Sequence, residues 1–133
     1  MALKRESILK QRALPTEKVM CPEWADADTP PEDAYVIVRT LTGHERDAWE
    51  KSLTVGKGHK AKVSLDDIRA KLAVATCVDD EGRPIFTGES DIAELSQRTC
   101  LPLSRVFDAA SKLNGLSKED VDELMGESSN GQS

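Results

Sequence analysis

Ile68-Arg-Ala-Lys-Leu-Ala-Val-Ala-Thr-Cys-Val-Asp-Asp-Glu-Gly-Arg-Pro-Ile-Phe86 is the longest apolar-rich run of the chain, and its reading decides the fold. Ile68, Ala70, Leu72, Val74, Thr76 and Val78 alternate with Arg69, Lys71, Ala73, Ala75 and Cys77, which is the period of a strand. Ile68, Leu72 and Ala75 also share one helix face, and Ala73 and Ala75 favour a helix. The alternation points to a helical turn near 65–70 and then a strand over 72–78. Asp79-Asp80-Glu81-Gly82 supplies a tight turn, and 84–87 returns as the second arm of a hairpin. If 66–78 is helical instead, the chain is mostly α. The adjacent acids Asp79 and Asp80 read as solvated turn residues, not as a catalytic pair.

Outward from this run, Thr16-Glu-Lys-Val-Met-Cys-Pro22 suits a strand. Ala34-Tyr-Val-Ile-Val-Arg-Thr-Leu41 suits another, because β-branched and aromatic residues dominate it. Apolar groups on both faces of 34–41 predict that both are covered. Thr42-Gly-His-Glu45 has the form of a capping box opening a helix over 42–53, with Ala48, Trp49 and Leu53 inward. After residue 90 the period becomes helical: 91–97 behind Ser90, 101–113, and 118–125. The strongest amphipathic pattern is Leu103, Val106, Phe107, Ala110 and Leu113, stopped by Asn114-Gly115. The expected fold is α+β: a small antiparallel sheet of 16–22, 34–41, 72–78 and 84–87, with helices at 42–53, 91–97, 101–113 and 118–125. The organisation expected is a single small domain over 1–126, with a flexible arm at 1–13, an extended acidic loop at 25–33 and a disordered polar tail at 127–133.

The net charge of −6 is unevenly spread over the 133 residues. Residues 72–133 hold 12 acids against 5 bases, which argues against a duplex-DNA binder, since phosphate contact needs clustered Lys and Arg. Lys57, Lys60, Lys62, Arg69 and Lys71 read as a solvated basic stretch. The arm 1–13 is basic and amphipathic through Leu3, Ile8 and Leu9, a pattern that can meet an acidic partner or a membrane surface, but at this length a frayed terminus is expected. Nothing approaches a membrane span or an apolar leader. Three separated cysteines, Cys21, Cys77 and Cys100, make neither a disulfide framework nor a zinc pattern. The acids Asp26, Asp28, Glu32 and Asp33 lack the spacing of a calcium loop, and Gly56-Lys57-Gly58 lacks that of a phosphate loop. His44 and His59 have no partner in sequence with which to build a nucleophile–base pair. The residues therefore give no catalytic site, no metal site and no cofactor. Only five aromatic side chains anchor the core, so support from self-association or a partner is expected.

Four stretches in order carry a resemblance: Leu14-Pro-Thr-Glu-Lys-Val-Met-Cys-Pro-Glu-Trp24, Val38-Arg-Thr-Leu-Thr-Gly-His-Glu-Arg-Asp-Ala-Trp-Glu50, Val78-Asp-Asp-Glu-Gly-Arg-Pro-Ile-Phe86 and Ala109-Ala-Ser-Lys-Leu-Asn-Gly-Leu-Ser117. Over roughly residues 1–125 they resemble the tail assembly chaperones of long-tailed bacteriophages and prophages. The acidic loop 25–33 departs from the compact connection found in that family. The resemblance implies a non-enzymatic factor of the host cytoplasm that binds the tape-measure protein and keeps it soluble while tail-tube subunits polymerise. It implies absence from the mature virion, and a short product of a frameshifted gene whose longer form recruits the tail-tube protein. Leu103, Phe107, Leu113, Leu116 and Leu124 are the candidate client-binding residues. The alternative is a small structural or adaptor protein retained in the tail.

Overall fold

The computed structural model describes residues 1–10, 13–56, 58–60, 62–116 and 120. Its elements run α1 (Arg5–Leu9), β1 (Thr16–Met20), β2 (Tyr35–Arg39), α2 (Gly43–Ser52), β3 (Thr54–Val55), β4 (Lys62–Val63), α3 (Ile68–Thr76), β5 (Cys77–Val78), α4 (Gly88–Leu95) and α5 (Cys100–Leu113). The fold is α+β. An antiparallel sheet has the order β1-β2-β5, with Glu17 and Cys77 flanking Val38. β3 and β4 form a separate two-stranded ribbon.

The expected strand over 72–78 is corrected: Ile68–Thr76 is helical, and only Cys77 and Val78 join the sheet, beside β2. The helix wins because it puts Ala70, Leu72, Ala73 and Thr76 on one buried side. A strand would have placed Lys71 on the same face as Ala73 and Cys77. Small Ala70 and Ala73 let α3 lie close to α5, its main helical neighbour. The Thr76 hydroxyl donates to the Leu72 carbonyl at 2.8 Å, satisfying its buried oxygen within the helix. The predicted returning arm 84–87 shrinks to one bridge, Val78 with Pro84. The hairpin is thus a stub, and it pairs with β2 but not with β1. Its turn is as expected: the Asp79 carboxylate accepts from the backbone N–H of Glu81 and Arg83 at 2.8 and 2.9 Å. Those bonds hold the carboxyl below its usual range. Tyr35 Oη donates to Asp80 at 3.0 Å, fixing the turn to β2.

Elsewhere the boundaries move by a few residues. β1 stops at Met20 because Pro22 opens a 3₁₀ turn, Pro22–Trp24. The acidic loop is not extended. A second 3₁₀ turn covers Pro31–Asp33, and Asp26 Oδ1 accepts from the Asp28 and Thr29 N–H at 2.9 and 2.8 Å. The capping box at α2 forms, with Glu45 N–H donating to Thr42 Oγ1 at 3.2 Å and Thr42 N–H to Glu45 Oε1 at 2.9 Å. α4 starts three residues before Asp91, at Gly88, where Asp91 Oδ2 accepts from Thr87 N–H. The expected helix 118–125 and tail 127–133 lie outside the described residues, Asp120 excepted.

The core lies between the sheet and the α3–α5 pair. Val38, Leu53, Leu72, Val106 and Ala110 are its most buried apolar members. Full burial of a Leu or Val side chain contributes about 1.5–3 kcal/mol, so these positions outweigh any surface pair. α1, by contrast, buries none of its residues.

Candidate functional site: a helix-walled pair of apolar grooves

The candidate client residues lie on or just beyond α5, and the fold separates them. Leu103 and Leu116 are buried in the core. Leu116 closes a Schellman turn: its N–H donates to Ser111 O at 2.7 Å and that of Gly115 to Lys112 O at 3.2 Å. Gly115 makes this possible with φ +72°. Phe107 and Leu113 are half-buried and packed on the core, and Arg69 stacks over the Phe107 ring at 6.0 Å. Leu124 lies outside the described residues. α5 therefore spends most of its apolar face internally, and a partner meets the outer parts of Phe107 and Leu113 together with exposed Leu101.

The accessible apolar surface is found instead on either side of α4. The first groove, about 270 Å³, has Trp24, Val36, Phe86 and Leu95 as its apolar walls and Asp91, Glu94 and Arg98 as its polar ones. The second, about 300 Å³, lies between α2, α3 and α4, with Leu41, Trp49, Val74, Ala75 and Ile92 as its apolar walls. α4 turns Leu95 to one and Ile92 to the other, three residues apart on the helix. Each groove contains one tryptophan. The indole Nε1 atoms of Trp24 and Trp49 are buried without a hydrogen-bond acceptor among the described residues. An unpaired buried donor is costly, about 1–3 kcal/mol.

Two fastenings set the groove walls. Arg105 holds Glu23 through a bidentate ion pair, one arm at 2.8 Å, and also donates to the Met20 carbonyl at 3.0 Å. This ties α5 to the turn that carries Trp24, and the guanidinium lowers the Glu23 pKa. At the other end Asn114 accepts from Leu41 N–H at 2.7 Å and donates to Ala110 O at 2.9 Å and Arg39 O at 3.3 Å. Arg46 Nη1 donates to the Asn114 carbonyl at 3.0 Å. Arg39 in turn grips Glu45 with bonds of 2.8 and 2.6 Å. That pairing, aided by the Thr42 bonds, brings the Glu45 carboxyl down to about 2.

Other residues singled out from sequence are dispersed. His44 and His59 are exposed on α2 and on the turn before β4. Lys71 Nζ donates to Ser52 O at 3.1 Å, so at least this member of the basic stretch is tied to the fold. Cys21 and Cys77 are buried, Cys100 is exposed, and desolvation pushes the Cys77 thiol up to about 12. No group of three metal-ligating side chains is found among the described residues. No helix among them is long and apolar enough to cross a membrane. The groove residues Trp24, Val36, Phe86 and Leu95 escape a sequence reading because they come from four separate segments. The two tryptophans were the available signal, as large aromatic residues in a chain with few of them.

No protein-family model matches the sequence, and no curated protein matches it. Among solved structures, the fold is similar to that of the bacteriophage HK97 tail assembly chaperone. The match has a TM-score of 0.52 at 14% identity and covers 85% of this chain and 95% of that one. The chain has the fold of a phage tail assembly chaperone. The likeness extends over nearly the full length of the HK97 chaperone.

Proposed function

We propose that this chain is a tail assembly chaperone that binds the tape-measure protein and keeps it soluble in the host cytoplasm until tail-tube subunits enclose it. The observation that carries the reading is the fold shared with the HK97 chaperone across 85% of the chain. The ordered sequence stretches resembling that family support it independently. The chain acts by binding, without catalysis, and leaves before the virion is complete. It is the short product of a frameshifted gene, and the longer form recruits the tail-tube protein.

The client is an amphipathic helix of the tape-measure protein. Its contact surface is the groove of Trp49, Val74, Ala75 and Ile92, extended by the outer edges of Phe107 and Leu113. An aliphatic stripe at i, i+3 and i+4 suits such a groove, whose walls are the helices α2, α3 and α4. Co-expression with the tape-measure protein tests the reading. The client is expected in the soluble fraction with this chain and in the pellet without it. Equal solubility in both cases would sink the proposal. Mass spectrometry of purified tails checks the departure step, where retention at stoichiometric abundance would indicate a structural adaptor instead.

A further inference from the structure

α1 is a helix of 5 residues that buries none of them. A helix of that length does not hold itself in water, because its few hydrogen bonds cannot offset the cost of nucleation. Its stability has to come from packing. The surface it offers is apolar and basic. Leu3 is 76% and Ile8 56% exposed, and Lys4 and Arg5 lie one turn before Ile8 on the same face. Residues 117–127 carry the complementary pattern in sequence. Val121, Leu124 and Met125 fall at i, i+3 and i+4, and five acids stand against one base. Asp120, the described residue of that segment, is helical and half-buried.

Both segments leave the fold at one corner. The Pro15 carbonyl accepts from the Thr40 N–H at 2.9 Å and from Thr40 Oγ1 at 3.0 Å. Asn114 binds the two neighbours of Thr40, Leu41 through its N–H at 2.7 Å and Arg39 through its carbonyl at 3.3 Å. Five residues carry the chain from Pro15 back to Lys10, and five carry it from Leu116 on to Val121. Each of these tethers reaches about 17 Å when extended. We propose that α1 packs against residues 118–125 of the same chain. Leu3 and Ile8 meet Val121, Leu124 and Met125, while Lys4 and Arg5 meet Asp120 and Asp122, which flank that stripe on a helix. The short tethers hold the two segments at an effective concentration on the order of mM, far above that of a second copy in dilute solution. The contact shuts the arm's apolar face away from other partners, so a partner that takes the arm first has to displace residues 118–125. The assignment rests on this chain's own segments and does not depend on the identity of the client.

Amide hydrogen exchange of the full chain tests it, read at Ile8 and Lys10, whose N–H groups donate to the Lys4 and Glu6 carbonyls within the arm. In the wild type these amides are expected to exchange at least about tenfold more slowly than in an unstructured peptide, at a rate that does not change with protein concentration. Leu124→Glu/Met125→Glu, remote in sequence from α1, should remove that protection. Lys4→Glu/Arg5→Glu should weaken it, and adding Asp120→Lys/Asp122→Lys to that variant should restore part of the loss. The substituted arm residues are exposed, and exchange of the β2 and α5 amides reports whether each variant keeps the fold. Arm amides in the wild type as fast as in an unstructured peptide would overturn the proposal, as would protection indifferent to the substitutions at 124 and 125. So would protection that rises with protein concentration, which would place the segment of another copy on the arm. None of these readouts involves client solubility, so failure here leaves the chaperone reading untouched.

Discussion

In its first half α5 is fastened to the sheet by charge, through Arg105, Glu23 and the Met20 carbonyl. Just past its last residue it is fastened by a neutral amide, through Asn114, Leu41, Arg39 and Ala110. The charged clamp is in contact with solvent, with 41% of the Arg105 side chain exposed. The amide clamp is half-buried and satisfies the Leu41 N–H at 2.7 Å. Water can replace the first set of bonds when they break, and it reaches the second less readily. Geometry alone makes the two look equal, while burial makes the amide the stronger anchor.

Asn114→Ala gives the largest expected effect. It strands the Leu41 N–H and weakens the Arg39 corner, so urea denaturation should show a loss of about 2–3 kcal/mol, unchanged by salt. A loss no larger than that for an Arg105 substitution would break the comparison. Glu45→Gln comes next, because it weakens both the Arg39 pair and the α2 capping box. A lost cap alone costs about 1 kcal/mol. The Glu45 carboxyl is lowered from 4.5 to about 2, so its contribution is complete above pH 4.5 and disappears as pH falls towards 2. Wild type and Glu45→Gln should therefore differ in thermal midpoint at pH 7 and converge near pH 2. Gly115→Ala is third, at about 1 kcal/mol in the same denaturation assay. Nothing lies within 4 Å of the added methyl, so the cost is the positive φ alone. Arg105→Met is smallest: a midpoint shift below that of Asn114→Ala, fading as salt is raised from 0.05 to about 1 M.

The contrast also explains what the sequence could disclose. The α2 capping box was legible because Thr42 and Glu45 are three residues apart and settle their own geometry. The strand at 35–39 was legible because β-branched and aromatic residues dominate it, and the strand at 16–20 because Pro15 and Pro22 bracket it. Residues 68–78 satisfied both periods, and the choice was made by α5. Only a helix there presents Ala70 and Ala73 to it, and no local pattern records that neighbour. Asn114 was read as a helix stop, which it is. Its hydrogen bonds to Leu41 and Arg39 span more than 70 residues and leave no local trace. The α5 residues proposed for the client were chosen by their apolar spacing. That spacing is the signature of a core-facing stripe, and the fold buries Leu103 and Leu116 accordingly. Neither groove was legible, since each is assembled from residues that only the folded chain makes adjacent.

Helix α4 contributes a wall to both grooves, Leu95 to one and Ile92 to the other, a turn apart on the same flank. A bound group that shifts α4 in one groove alters the wall of the other, and such a coupling is reciprocal: each occupant changes the other's affinity by the same factor.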